Sequence, residues 1–145
     1  MIANRLFIDT NILVYATDPR SPYHAASMAA LTRTWRSGYT WVISTQILRE
    51  YLAVTTRLRL GDSDVPLDAI LENVRLFRRA LEVVEDKSIV LDHLLELLAT
   101  IPTAGRQIYD ANIVATMQAH GIRSLLTHNT ADFNRFSHLI DLLDI

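Results

Sequence analysis

The sequence predicts an α/β fold class, in which helices cover both faces of a central, mainly parallel sheet. Short apolar runs typical of buried strands alternate along the chain with longer amphipathic segments typical of helices. Turn and cap residues such as Gly38 and Gly61 separate the segments. The 145 residues, 50% of them hydrophobic, suit one domain over residues 1–145.

Two strands and three helices are expected in the first part of the chain. Pro22 is a residue type favoured at a helix start, and Gly38 is a plausible C-terminal cap of the same helix. Ser44 or Thr45 can cap the next helix, which carries Glu50. The expected order is a strand at 5–8, a helix from 11, a helix from 22 to 37, a strand at 40–43 and a helix from 45 to 60.

The second part is expected to add three strands and four helices. Pro66 opens an amphipathic segment, and Gly105 precedes the helix that contains Asp110. Gly121 ends that helix before another apolar run. The expected order is a helix at 67–81, a brief strand at 83–84, helices at 88–99 and 106–120, a strand at 122–126, a short helix near 131 and a strand at 139–143.

Composition excludes several classes of function. Cysteine is absent, so there is no disulfide, no thiolate zinc site and no cysteine nucleophile, and a reducing cytoplasm fits best. No apolar stretch approaches the roughly 20 residues of a membrane span, and no export signal is visible. The net charge of -2 offers no overall field for nucleic acid, although only Lys87 of the 14 basic residues is a lysine and the others are arginines.

Four acidic residues from distant parts of the sequence are expected to meet. Asp9 ends the first strand, and Asp132 falls in the loop after the fourth. Glu50 lies about a turn into the helix after the second strand, and Asp110 lies near the start of its helix. Because the carboxyl ends of parallel strands form one edge where ligands collect, all four are expected at one pocket.

A cluster of carboxylates needs protons or a cation, since like charges repel one another and are costly to desolvate. Four acids favour the cation, and Mg²⁺ and Mn²⁺ are hard ions that prefer oxygen ligands. Such an ion can activate water and stabilise a phosphoryl group. The pattern therefore predicts a magnesium-dependent phosphodiester hydrolase.

Each acid also has a structural explanation that the sequence alone leaves open. Asp9 could be an ordinary N-cap, and Asp110 could complement a helix dipole. Glu50 could be a solvated side chain, and Asp132 could belong to a simple turn with Asx bonds. Only their combined placement at one edge favours catalysis.

Four motifs resemble the PIN-domain ribonucleases, and among these the VapC toxins of type II toxin–antitoxin pairs. They cover the chain in order and at the expected length: Phe7-Ile8-Asp9-Thr10-Asn11, Glu50 after Ser44-Thr45, Tyr109-Asp110-Ala111-Asn112-Ile113-Val114-Ala115, and Leu126-Thr127-His128-Asn129-Thr130-Ala131-Asp132-Phe133.

The resemblance implies a three-layer α/β/α sandwich, a Mg²⁺ or Mn²⁺ site and endonucleolytic cleavage of RNA. Asp9, Glu50 and Asp110 match the three acids best preserved in the family pattern, and Asp132 matches the more variable fourth. The supporting polar positions, which would orient carboxylates or water, are matched by Asn11, Thr127 and Asn129. The family pattern often has a serine or threonine and an arginine around the fourth acid, and here His128 stands in that loop. It is interpreted as a surface histidine without a role, with a contact to phosphate as the alternative.

The resemblance also implies two kinds of protein partner. A small cognate antitoxin would dock on the apolar helices around residues 15–31 and 47–60, whose other explanation is core packing. A homodimer is expected as well.

Substrate contacts are less well marked in the sequence. Six arginines could border the groove: Arg33, Arg36, Arg49, Arg57, Arg59 and Arg106. Trp35, Tyr39 and Trp41 could stack on bases, although core or interface packing is the better explanation for each. Two other functions stay open, namely an aspartyl-phosphate phosphotransferase with Asp9 as nucleophile and a catalytically silent antitoxin- or RNA-binding module.

Overall fold

A computed structural model describes residues 4–61 and 64–145. Residues 1–3 and 62–63 lie outside this description. The expectation that no export signal is present therefore concerns, in part, residues outside the described ranges. Among the described residues, we find no helix with the length and apolar character of a membrane span.

Five strands in the described part of the chain form one sheet, and every neighbouring pair is parallel. The strand order is β3-β2-β1-β4-β5, so the chain builds outward on one side of β1 and then returns to the other side. The strands are β1 (Arg5–Ile8), β2 (Thr40–Ser44), β3 (Glu82–Val84), β4 (Ser124–Leu126) and β5 (Asp141–Leu143).

Helices occupy both faces of the sheet. Those that lead from β1 to β2 and β3 contact one another, whereas α5 and α6 pack together on the return to β4. Right-handed crossovers place these two groups on opposite faces, which gives the three-layer α/β/α sandwich. The helices are α1 (Thr10–Ala16), α2 (His24–Arg36), α3 (Thr45–Gly61), α4 (Leu67–Ala80), α5 (Ser88–Thr100), α6 (Gln107–Ala119) and α7 (Thr130–Phe133), followed by a 3₁₀ turn at Asn134–Phe136.

The expected α/β class is confirmed, and the sheet is entirely parallel. Two cap predictions are also correct. The Ile47 amide donates to Ser44 Oγ (3.3 Å) at the start of α3, and Gly38 follows α2 with φ of 85°, a conformation that favours glycine.

The last two strands are shorter than predicted. The Ile122 amide donates to the Met117 carbonyl (2.8 Å), so residue 122 still closes the end of α6. The Leu139 amide likewise donates to the Phe136 carbonyl (2.8 Å) in a turn that the sequence did not indicate. Both residues carry the apolar side chains of strands, but their amides are used in turns.

The order of the strands positions the candidate site. β1 lies between β2 and β4, and Ile8 pairs with Leu126. The Asp9 amide continues the ladder by donating to the Leu126 carbonyl (3.0 Å). Asp9 and Thr127 therefore emerge side by side from the carboxyl edge at the point where the strand order reverses, the usual place for a ligand crevice in such sheets.

Candidate active site

Asp9 is the most constrained carboxylate of the site. Its side chain is only 7% exposed, and both oxygens accept hydrogen bonds. Oδ1 accepts from the Thr10 amide (2.8 Å), and Oδ2 accepts from Thr127 Oγ1 (2.8 Å) and Asn11 Nδ2 (3.3 Å). Asp9 is the N-cap of α1, as its structural explanation proposed, and it also lines the pocket described below.

Polar side chains tie the start of α1 to the loop after β4. Asn11 Oδ1 accepts from the His128 amide (3.1 Å), and Thr127 Oγ1 accepts from the Asn129 amide (3.0 Å). Thr127 is fully buried. Asn11 and Thr127 thus orient Asp9 and, with Asn129, hold the loop that closes this side of the pocket.

Glu50 is held by two neutral donors. Thr10 Oγ1 donates to Oε2 (2.8 Å), and Gln46 Nε2 donates to Oε1 (2.9 Å). Glu50 is half-buried. It is therefore a positioned side chain and not the solvated one that its helical face also allowed.

Gln46 links Glu50 to α6. Its Nε2 also donates to the Tyr109 carbonyl (3.0 Å), and its Oε1 accepts from Asn112 Nδ2 (2.7 Å). Asn112 in turn donates to Asp86 Oδ2 (3.1 Å). The sequence analysis assigned no role to Gln46, although its position one helical turn before Glu50 was a usable signal.

Three of the four predicted acids line one open pocket of about 330 Å³. Asp110 reaches it from the first turn of α6, where it is half-buried. The pocket is lined by Asp9, Thr10, Asn11, Val14, Tyr15, Glu50, Ala53, Val54, Asp110 and Asn129.

Asp132 occupies a different position from the one predicted. It lies in the first turn of α7, not in a loop, because the helix starts immediately after Asn129. Its side chain is exposed and it does not line the pocket, but its charge still acts on Asp9 and Asp110.

The pocket favours protonated carboxyls in the absence of a cation. The pKa of Asp9 is raised from its usual 3.8 to about 6: burial is the largest cause, the charges of Glu50 and Asp132 also raise it, and its hydrogen bonds lower it. Burial also raises the pKa of Asp110 from 3.8 to about 7, followed in size by repulsion from Asp9, Asp132 and Glu50. Both shifts are those of carboxylates that lack a compensating positive charge.

The predicted arginines do not line this pocket. Arg33 and Arg36 lie along a groove on α2, and Arg49 lies between α3 and β3. The cation that acts on the site is Arg135 in the 3₁₀ turn, which lowers the pKa of Asp110. Arg135 follows Asp132 by three residues in a turn that the sequence did not indicate, which is why it was missed.

The predicted stacking residues also lie elsewhere. Trp35 and Trp41 contact each other (ring centroids 5.4 Å apart) at the amino end of β2, opposite the pocket. Near the pocket, the aromatic residues are Tyr15, Tyr23 and His128. His128 is half-buried against both tyrosines and is therefore not the free surface histidine that was expected.

The donors of the pocket suit a hard divalent cation in kind. Carboxylate oxygens with raised pKa gain most from an ion such as Mg²⁺, which prefers oxygen ligands. Within residues 4–61 and 64–145, however, no three His, Cys, Asp or Glu side chains stand close enough to enclose an ion as they are arranged here. The chemistry of the residues fits the ion, while their present partners are hydroxyl and amide groups.

The comparison with known families identifies the class of protein. The family model of the PIN domain matches residues 6–139, nearly the whole chain. The chain therefore belongs to the PIN domain family.

Individual relatives are similar over nearly their full length. Ribonuclease VapC24 of Mycobacterium tuberculosis is 29% identical over 138 residues, covering 90% of each chain. The toxin–antitoxin complex from Klebsiella pneumoniae contains a chain with a TM-score of 0.65 and 21% identity, covering 89% of this chain and 90% of that one. VapC20 of M. tuberculosis, described as a sarcin–ricin loop cleaving toxin, has a TM-score of 0.63 and 17% identity, with 83% and 86% covered.

We predict that Gln46→Leu lowers the free energy of unfolding by about 1–3 kcal/mol, because it leaves buried partners on α3 and α6 unsatisfied. Gln118→Leu is the control, since Gln118 lies on α6 outside this network, and it should change stability by no more than about 0.5 kcal/mol. Urea unfolding measures both variants. Equal effects would show that the Gln46 network does not stabilise the site.

We also predict that Asp110→Asn changes how stability depends on pH. The pKa of Asp110 is about 7 in the folded protein and 3.8 ordinarily, so the folded state binds the proton more tightly. Stability from this group is therefore full below about pH 4 and is lost as the pH rises through 7. In chelator, Asp110→Asn should raise the melting temperature at pH 8 and flatten its fall between pH 5 and 8.

Asp92→Asn is the matched control, because Asp92 is exposed on α5. Circular dichroism melts from pH 4 to 8 give the comparison. Parallel curves for wild type and Asp110→Asn would contradict the repulsion between Asp110 and its neighbours.

Proposed function

We propose that this protein is a magnesium-dependent endoribonuclease, the toxin of a toxin–antitoxin pair. The observation that carries the proposal is the convergence of Asp9, Glu50 and Asp110 on one pocket at the carboxyl edge of the sheet. Membership in the PIN domain family and relatives named ribonuclease support it.

The carboxylates of the pocket would hold the ion. Asp9, Glu50 and Asp110 are the ligands we propose, with Asp132 contributing charge from the rim. The chemistry that bound Mg²⁺ or Mn²⁺ supplies is stabilisation of the negative charge that develops on the phosphoryl group and activation of water for hydrolysis.

The neutral residues orient these ligands. Thr127 and Asn11 fix the carboxylate plane of Asp9, and Thr10 connects Asp9 to Glu50 through its amide and its hydroxyl. Gln46 fixes the other oxygen of Glu50. Such support keeps the carboxylates in place when the substrate binds.

RNA is the proposed substrate class because the relatives point to it. VapC24 is named a ribonuclease, and VapC20 is described as cleaving the sarcin–ricin loop. The acidic pocket by itself repels any phosphate, so charge alone does not select RNA.

The alternative of an aspartyl-phosphate intermediate is disfavoured by the surroundings of Asp9. Both of its oxygens accept hydrogen bonds and its side chain is 7% exposed, which leaves little room for attack on phosphorus. The other alternative, a catalytically silent binding module of the same fold, is tested by the RNA cleavage assay described next.

We expect the purified protein to cleave single-stranded RNA oligonucleotides in Mg²⁺ or Mn²⁺ and to lose this activity in EDTA. Asp9→Asn and Asp110→Asn should reduce the rate by at least about 100-fold, because each removes a charged ligand. Asp132→Asn should cost less, since its side chain lies outside the pocket. Gel-resolved cleavage rates measure these effects.

Asp92→Asn on α5, purified in the same way, should keep the wild-type rate. Cleavage that persists in EDTA, or in Asp110→Asn at the wild-type rate, would sink the assignment of a metal-dependent site. No cleavage by the antitoxin-free wild type would favour the silent module.

A small antitoxin is the proposed protein partner, and a homodimer the proposed assembly. Support for the antitoxin comes from the fold shared with the Klebsiella toxin–antitoxin complex. The predicted docking helices are α1, α2 and α3, of which α1 contacts both of the others. Met28 on α2 and Leu58 and Leu60 on α3 are 45%, 52% and 84% exposed, so these helices also offer apolar surface outside the core.

We predict that Leu58→Glu weakens binding to the product of the neighbouring open reading frame by about 10-fold or more, because a charge replaces a buried apolar contact. RNA cleavage by the free variant should be unchanged. Leu91→Glu, on the 54% exposed Leu91 of α5, is the control. Co-purification and growth rescue measure the interaction. Equal rescue of Leu58→Glu and Leu91→Glu would show that the antitoxin docks on another face of the protein.

A further inference from the structure

Three aromatic rings form a continuous group beside the candidate active site. The ring centroids of Tyr15 and Tyr23 lie 4.9 Å apart, and those of Tyr23 and His128 lie 4.3 Å apart. Tyr15 and His128 meet edge to face at 5.6 Å. Tyr15 itself lines the pocket of Asp9, Glu50 and Asp110, so the aromatic group extends one wall of that pocket.

The backbone under these rings is held in place by several hydrogen bonds. His24 Nδ1 lies 2.8 Å from the Tyr15 carbonyl, and the Tyr23 amide donates to Ser21 Oγ (3.1 Å). The His128 amide donates to Asn11 Oδ1 (3.1 Å), a side chain that also contacts Asp9. The rings are therefore preorganised relative to the carboxylates.

Packing alone leaves part of this group unexplained. Tyr23 is 41% exposed, so the group is not enclosed in the core. Nδ1 of His128 is buried without a partner. A partly exposed aromatic group with an unpartnered polar atom, next to a pocket, is a feature of a surface that binds a flat polar ligand.

The charge of the pocket indicates what such a surface must do. Carboxylates repel the phosphates of RNA, and the pocket lining contains no arginine or lysine. Proteins that bind single-stranded RNA gain affinity by stacking its bases on aromatic side chains, an interaction that does not need positive charge.

We propose that Tyr15, Tyr23 and His128 form a base-binding subsite that stacks one unpaired RNA base next to the phosphate being cleaved. This inference rests on the proposed ribonuclease function.

The test is the cleavage kinetics of Tyr23 variants on a single-stranded RNA oligonucleotide in Mg²⁺. Tyr23→Ala should raise KM by roughly 5- to 100-fold and change kcat by less than about 3-fold, because stacking contributes to binding. Tyr23→Phe and Tyr23→Trp keep a flat ring and should stay close to wild type. Tyr23→Leu keeps apolar volume without a flat ring and should behave like Tyr23→Ala.

Trp35→Ala is the control, because Trp35 is 64% exposed but lies at the opposite edge of the sheet. A second measurement separates binding from cleavage, namely the affinity of fluorescein-labelled RNA for Asp110→Asn with and without Tyr23→Ala. Loss of affinity with Tyr23→Ala, but not with Trp35→Ala, is the expected result.

The outcomes distinguish this inference from the proposed function. If the wild type cleaves RNA and Tyr23→Ala keeps its KM and its affinity, the subsite is overturned and the ribonuclease stands. If the wild type does not cleave but binds labelled RNA through Tyr23, the subsite stands and the proposed catalysis fails. If Tyr23→Leu retains wild-type KM, the group is structural packing and the subsite is overturned.

Discussion

The burial of the Asp9 carboxylate is the constraint on which the site depends. A charge that is 7% exposed must be compensated, and here neutral donors from two separate segments do so. The Thr10 amide and the Asn11 side chain come from the start of α1, and the Thr127 hydroxyl comes from the end of β4. Because β1 and β4 are adjacent only through the reversal of strand order, the topology of the sheet is what brings these donors together.

These neutral donors compensate the negative charge of the pocket only in part. Hydrogen bonds lower the pKa of Asp9, but burial outweighs them, so its pKa still lies near 6. Asp110 is less buried yet has a pKa of about 7, since burial is joined by repulsion from three other carboxylates, against the opposing charge of Arg135. The neutral hydrogen-bond donors therefore fix the geometry of the acids without cancelling their repulsion. A bound divalent cation would compensate both the buried charge of Asp9 and the repulsion among the carboxylates.

Much of the fold could be predicted because it depends on local patterns. Apolar runs and cap residues such as Ser44 and Gly38 mark the elements within a few residues. Where amides are used in turns, as at Ile122 and Leu139, side-chain type misleads and strands are overextended. The strand order, which decides the neighbours of Asp9, depends on long-range packing that periodicity does not contain.

The residues of the site likewise divide into those that local sequence patterns identify and those that depend on long-range contacts. Asp9, Glu50 and Asp110 could be named because acids after strands and near helix starts stand out in the sequence. Gln46 was overlooked although it precedes Glu50 by one helical turn, and its contacts join Glu50 to α6. Arg135 could not be named, since it acts on Asp110 from an unpredicted turn. The arginines were expected near the groove from residue type and segment, but Arg33, Arg36 and Arg49 lie on other faces.

A nuclease that uses carboxylates faces two opposing electrostatic demands. Its site must be acidic enough to hold a cation, yet its substrate is a polyanion that the same acids repel. In the proposed function the acidic pocket would meet the first demand, and Arg135 acts on it by lowering the pKa of Asp110. Affinity for the substrate would then come from contacts that charge does not oppose, and we propose that the aromatic group of Tyr15, Tyr23 and His128 supplies them, since Tyr15 lines the same pocket as the carboxylates.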